Sequence, residues 1–120
     1  MAPSEFTVAA AKFVSDTWAE VFAASAIVIN QSRIFGLTGI RIIEDPNVPQ
    51  ILEDMKLVSG MLDTIAGKLD TIDLDHDAVR LLLNTKEQLS KLENVAAALV
   101  ADDEDLYNQA VEKLRQQAPF

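Results

Sequence analysis

Two stretches of the chain repeat apolar residues with the spacing of packed helices. Their apolar positions are separated by 4, 3, 4, 3, 4 and 3 residues, which is typical of α-helices that pack side by side. Because only a short acidic segment separates the two stretches, we predict an antiparallel helical hairpin with coiled-coil-like packing, over about residues 47–72 and 76–100. The two series are Ile51, Met55, Val58, Leu62, Ile65, Leu69 and Ile72, and Ala78, Leu82, Thr85, Leu89, Leu92, Ala96 and Leu99.

The N-terminal quarter of the chain predicts a longer and more apolar helix. Ser4 is a suitable N-cap, and Gly36 supplies a residue that readily adopts the left-handed turn after Phe35, so we expect a helix over about residues 4–35. Between Trp18 and Ile29 this helix is apolar on nearly every side, and such a helix has to be covered all round. We therefore predict a homo-oligomer, most simply a dimer, in which a second copy supplies part of the cover.

The remaining segments predict one connection and one short helix. Gly39, Pro46 and Pro49 interrupt any helix between residues 38 and 49, where Asn47 and Gln50 have the spacing of a capping box. An acidic run at 102–105 begins a last helix over about residues 103–117. The fold class predicted for the single domain 1–120 is therefore an all-α four-helix bundle.

Charge and hydropathy exclude several kinds of partner. The 19 acidic and 10 basic residues give a net charge of −9, and the basic residues are scattered, so we expect no direct binding to nucleic acid. The most apolar stretch, Val21–Ile29, is nine residues long, whereas a membrane span needs about 20. Residues 1–5 lack the basic start of a secretory signal, so we expect a cytoplasmic protein.

Catalytic and metal-ligating residues are few. The chain has no cysteine and one histidine, His76, which is too small a set for the usual zinc or di-iron ligands or for a nucleophile and its base. Three aspartates between 73 and 77 resemble the start of a calcium loop, but Ala78 and Asn84 stand where the loop needs glycine and glutamate. We therefore predict a protein that is not an enzyme and has no metal or cofactor.

The acidic residues gather where helices are predicted to begin or end. The run Asp102, Asp103, Glu104 and Asp105 is the densest, and helix N-termini favour negative charge, so we interpret these clusters first as caps. The cluster Glu44–Asp45 is predicted at the same end of the bundle. The two could then form one acidic pole, which leaves open an inhibitor or nucleic-acid mimic that occupies the basic groove of a partner protein.

Extensive helix seams without catalytic residues favour a role in binding. The leading hypothesis is a non-enzymatic protein–protein interaction module, such as an adaptor, scaffold or regulatory subunit, that also self-associates. Candidate partner-binding residues are the acidic run 102–105 together with Trp18 and Phe22. A third hypothesis is an apolar ligand held between the helices near Trp18, Phe22 and Met55. Glu20 is expected to face solvent, because it continues a polar stripe from Lys12 and Asp16.

Overall fold

The chain folds into packed α-helices. The computed structural model describes residues 5–34 and 47–116, with the side chains described from residue 8 onward. The four helices in these ranges are α1 (Glu5–Ser32), α2 (Val48–Ala66), α3 (His76–Val100) and α4 (Glu104–Arg115), and the same ranges contain no strand. The all-α four-helix fold class predicted from the sequence is therefore confirmed.

Helix α3 is the centre of the bundle. It packs against each of the other three helices, and α1 also packs against α2, whereas α4 within the described ranges packs on α3 only. Both predicted seams point into the shared core, since burial of apolar side chains is the main force holding helices together. The fully buried large side chains are Val14, Val21, Val28, Ile29, Met55, Val58, Leu62, Ile65, Leu82, Leu89, Leu92 and Val95.

Helix α2 is shorter than its seam. Asn47 caps it by accepting a hydrogen bond from the Gln50 N–H at 3.2 Å, while the Gln50 side chain turns to Asp54, so only half of the predicted capping box forms. The helix ends at Ala66 and not near residue 72, because the backbone from Gly67 continues in tighter three-residue turns. The last two seam residues, Leu69 and Ile72, nevertheless pack against the core.

Helix α1 also ends earlier than predicted, at Ser32. The Ser32 hydroxyl donates to the Ile29 carbonyl at 2.6 Å and accepts from the Ile34 N–H at 3.3 Å, which offers the backbone an alternative to another helical turn. Arg33 follows in the left-handed region with φ 59°. The left-handed residue after the helix is therefore Arg33. Both Ser4 and Gly36, the predicted ends of this helix, lie outside the described residues.

Helix α1 buries one side and exposes the other. Its buried residues recur every three or four positions, and the buried Ser25 hydroxyl is satisfied by the Val21 carbonyl at 2.8 Å. Lys12, Asp16 and Glu20 are exposed, as their spacing predicts, and Lys12 Nζ lies 3.1 Å from Asp16 Oδ2. The helix therefore has a solvent-facing stripe in the single chain, and the homodimer stays a prediction.

The contacts between helices define the directions in which they run. Lys86 of α3 pairs with Asp63 of α2 at 3.1 Å, whereas Glu93, later in α3, interacts with Ser59, earlier in α2, so these two helices run in opposite directions. The ends of α1 and α2 border one polar cleft, lined by residues 30–34 and by Lys68, Thr71, Ile72 and Asp73. Helices α1 and α2 therefore end at the same end of the bundle.

The seam of α3 contains one polar residue, Thr85. It is fully buried, and its Oγ1 has no hydrogen-bond partner among the described residues. A buried hydroxyl without a partner lowers stability, because it has lost its hydrogen bonds to water.

We expect Thr85→Val to raise the free energy of unfolding by about 1 kcal/mol, since valine has nearly the same shape and no group to desolvate. Urea denaturation of the purified chain measures the change. Thr64→Val is the matched control: Thr64 is exposed on α2 and donates to the Gly60 carbonyl at 2.9 Å, so no gain is expected there. A loss of stability in Thr85→Val would contradict the account.

Candidate functional site

The acidic run at 102–105 forms the connection between α3 and α4. Asp102 lies in the left-handed region with φ 55°, and its N–H donates to the Leu99 carbonyl at 3.1 Å. The Asp103 N–H donates to the Ala98 carbonyl at 3.0 Å. These are the two hydrogen bonds of a Schellman motif, in which glycine usually occupies the position of Asp102. The run therefore ends α3 as well as beginning α4.

Asp103 is also the N-cap of α4. Its Oδ1 accepts a hydrogen bond from the Leu106 N–H at 3.0 Å, and Glu104 and Asp105 follow in the first turn, near the positive end of the helix dipole. All four acidic side chains are exposed. These roles at the two helix ends explain why acidic residues occur here. Binding of a partner by this run stays a prediction. Glu44–Asp45, the other half of the expected acidic pole, lies outside the described residues.

The two aromatic candidates, Trp18 and Phe22, lie in the interior. Trp18 is 2% exposed, and Phe22 is half-buried against the same core, with the two ring centroids 5.5 Å apart and the rings tilted by 58°. This centroid distance lies within the range that is favourable for aromatic pairs. Met55, the third residue proposed around an apolar ligand, is fully buried. In the single chain Trp18 and Met55 therefore serve as core, and a ligand or partner role for the aromatic pair stays a prediction.

A second cleft, smaller than the one at the ends of α1 and α2, lies between α3 and α4. Its volume is about 230 Å³. Among the described residues that line it, four are apolar, two are amides, two are lysines and none is a carboxylate. The lining residues are Lys91, Asn94, Ala97 and Ala98 of α3 and Leu106, Gln109, Ala110 and Lys113 of α4.

Small residues keep this cleft open. Tyr107, Val111 and Leu114 fix α4 on α3, while the next face of α4 carries Ala110 and the 49%-exposed Leu106. Across from them α3 contributes the buried Ala98 at the base of the cleft and the exposed Ala97, whose methyl group is too short to fill the space between the helices. The result is an apolar trough with an exposed leucine at its rim.

The two ends of the cleft differ in charge. Because α4 folds back along α3 after a short connection, Leu106 lies beside the end of α3, and Lys113 lies farther from the connection, beside Lys91. Lys91 Nζ is 3.5 Å from Glu87 on the exposed surface, and a pair of that kind is weak. The cleft thus joins an apolar end to a cationic end, on a protein whose net charge is −9.

Sequence reasoning did not identify this cleft. The lining residues of each helix are three, four and seven positions apart, so the sequence predicts that they share one face of that helix. Alanines on such a face are also typical of ordinary core packing, so this pattern does not by itself indicate a cleft. Whether these faces stay partly uncovered depends on how α4 packs beside α3, which is a tertiary property.

Besides the cleft, the sequence did not reveal the partly buried position of Glu93. It is half-buried between α3 and α2, and its Oε1 has no hydrogen-bond partner among the described residues. Burial raises the pKa of Glu93 above its ordinary value of 4.5, and nearby Asp63 adds to the rise, whereas Lys56 and a hydrogen bond from Ser59 oppose it. Glu93 therefore makes the α2–α3 contact sensitive to pH.

We expect Glu93→Gln to stabilise the protein at neutral pH and to flatten its pH dependence. Because the folded-state pKa is raised, the folded chain holds the proton more tightly, so stability falls as pH rises from 4.5 through the raised pKa. Urea denaturation at several pH values measures this slope. Glu53→Gln, exposed on α2, is the control and should shift the free energy of unfolding by less than about 0.5 kcal/mol. An unchanged slope in Glu93→Gln would contradict the assignment.

The cap at Asp103 gives a separate prediction. Asp103→Ala should lower the free energy of unfolding by about 1 kcal/mol, because the Leu106 N–H loses its acceptor, whereas Asp103→Asn should be nearly neutral. Thermal or urea denaturation distinguishes the two. Equal losses in both variants would mean that the negative charge, and not the hydrogen bond, stabilises the helix end.

Comparisons with known chemistry and known proteins add no further assignment. No helix in the described ranges has the length and apolarity needed to cross a membrane. Within the same ranges, no cluster of three or more histidine or acidic side chains is arranged to hold a metal ion. Searches against protein-family models, curated proteins and solved structures found no match to this chain.

Proposed function

We propose that the protein is a non-enzymatic protein–protein interaction module, an adaptor, scaffold or regulatory subunit, whose docking site is the cleft between α3 and α4. The observation that carries this proposal is the lining of that cleft, which combines apolar side chains and two amides with two lysines. Self-association and a cytoplasmic location, both expected from the sequence, are part of the same proposal.

The shape of the cleft suits a helix from a partner. Helices dock into grooves by placing apolar anchors, spaced three, four or seven residues apart, between two helices of the receptor. Ala97 is exposed and small, so it allows such a helix to approach closely, and the exposed Leu106 offers it an apolar contact, whereas Ala98 and Ala110 are buried at the base of the cleft. An occupant with one apolar anchor and a carboxylate two turns away would satisfy both ends.

The charge of the cleft supports selectivity. The two lysines of the cleft attract an acidic group of a partner locally, whereas the net charge of −9 repels acidic partners at long range. This arrangement favours a partner whose acidic residues are confined to one side of its docking helix. The ionic part of the attraction weakens with salt, whereas the apolar part does not.

Affinity capture with matched variants tests the proposal. Ala97→Arg places a long charged side chain in the cleft, and Leu83→Arg makes an equally large change at a 55%-exposed position elsewhere on α3. We expect proteins captured by the wild type to be retained by Leu83→Arg and to be lost, at least tenfold, with Ala97→Arg, which corresponds to about 1.4 kcal/mol. Circular dichroism verifies that both variants stay folded. Equal capture by all three proteins would contradict the docking site.

The acidic-mimic alternative is tested in the same experiment. The double variant Asp102→Asn/Asp103→Asn removes two exposed charges but keeps the structural roles of both residues, since asparagine is a good N-cap and tolerates the left-handed region. If the run 102–105 binds a basic groove, capture is lost in this variant and weakens steeply with salt. If the cleft is the site, capture survives the double substitution.

A further inference from the structure

The exposed side of α1 carries the pattern that the cleft requires. Asp16, Glu20, Ala23 and Ile27 are all exposed and lie 4, 3 and 4 residues apart, so they form one straight stripe along the helix, which we call the α1 stripe. Ile27 is 51% exposed, one of seven large apolar side chains exposed in the described ranges, and it is the one that continues the line of Asp16, Glu20 and Ala23. The stripe changes from acidic at Asp16 and Glu20 to apolar at Ala23 and Ile27.

The stripe and the cleft match in length. Glu20 and Ile27 are seven residues apart on α1, and Leu106 and Lys113 are seven residues apart on α4, so each pair spans roughly 10.5 Å along its helix. Placing Ile27 beside Leu106 therefore places Glu20 beside Lys113 without any change in either backbone.

The acidic side chains of the α1 stripe and Lys113 of the cleft are available for such a contact. Within the described ranges neither Glu20 nor Lys113 takes part in an ion pair, and the pair between Lys12 and Asp16 has side chains 74% and 67% exposed. Exposed pairs of this kind contribute little to stability, so Asp16 can exchange its partner at small cost.

We propose that the cleft between α3 and α4 is occupied by the α1 stripe of a second copy of this chain. The contact packs Ala23 and Ile27 onto the apolar trough and brings Glu20 to the two lysines at its cationic end. This inference rests on the proposed function, because it uses the same docking site, and it names one of the partners.

The helix directions permit the contact to be reciprocal. In the contact described, the second copy's α1 runs opposite to α4 of the first copy. Within one copy, α1 and α2 end at the same end of the bundle, and α3 runs opposite to α2. Because α4 in turn folds back along α3, it runs in the same direction as α1. The two α1 helices are then antiparallel, as a two-fold axis perpendicular to them requires. We therefore expect a symmetric dimer with two copies of the contact.

Sedimentation equilibrium over the micromolar range tests the dimer, with charge reversal at the proposed ion pair. We expect the wild type to approach twice the chain mass of 13.1 kDa. Glu20→Lys and Lys113→Glu should each weaken dimerisation by about tenfold, because attraction becomes repulsion. The double variant Glu20→Lys/Lys113→Glu should return close to the wild-type value, since it restores an opposite-charge pair at both contacts.

Two control variants separate this contact from a general effect of net charge. Glu53→Lys and Lys68→Glu make the same changes in charge at exposed positions outside the stripe and the cleft, and should dimerise like the wild type. Ile27→Ser should weaken the dimer and, since Ile27 is exposed, leave the fold intact. Circular dichroism of every variant verifies folding.

Three results would overturn the inference: a wild type that stays monomeric, a dimer indifferent to both charge reversals, or a double variant as weak as the singles. These failures are distinct from failure of the proposed function. If the chain is monomeric and Ala97→Arg still loses captured proteins, the cleft binds a helix of another protein, and only the self-association is wrong. If the wild type dimerises as expected but capture is insensitive to Ala97→Arg, the cleft serves the dimer.

Discussion

The rest of the structure depends on the burial of α3 by its three neighbours. Leu82, Leu89 and Leu92 are fully buried among side chains of other helices, and removing such a leucine from a core typically costs 2–5 kcal/mol. Because α3 is surrounded on more than one side, it fixes the places of α1 and α2 in the bundle and provides the surface on which α4 lies. Both the cleft and the acidic run 102–105 adjoin this helix.

Acidic residues at the connections serve the backbone first. Asp75 accepts from the Ala78 N–H at 2.7 Å, and Asp103 accepts from the Leu106 N–H at 3.0 Å, so each begins a helix. Asp102 ends α3 in a backbone conformation that glycine normally supplies. Much of the acidic charge that suggests a mimic of nucleic acid is thus placed by helix termini, which is why the cleft, whose charge the connections do not require, is the stronger candidate for recognition.

The candidate site depends on small side chains where α4 lies along α3. The cleft is lined by residues 106–113 of α4, which is nearly the whole of that helix, and by the exposed Ala97 of α3. A larger side chain at position 97 would occupy part of this space. The same cleft has the exposed Leu106 at its rim and two lysines in its lining, on a protein of net charge −9, and the proposed recognition of a partner rests on this combination.

The sequence by itself determined the fold class, the existence of the helices and the seams of α2 and α3, because burial of an apolar face at helical spacing is a local pattern that packing then satisfies. It also predicted the cap at Asn47 and the exposure of Glu20. It did not predict that α1 ends at Ser32, where a side-chain hydrogen bond competes with the helix, or that Glu93 is desolvated. Only the tertiary structure determines that the cleft exists. Its lining residues belong to two helices, and the distance at which α4 packs on α3 creates the space between them.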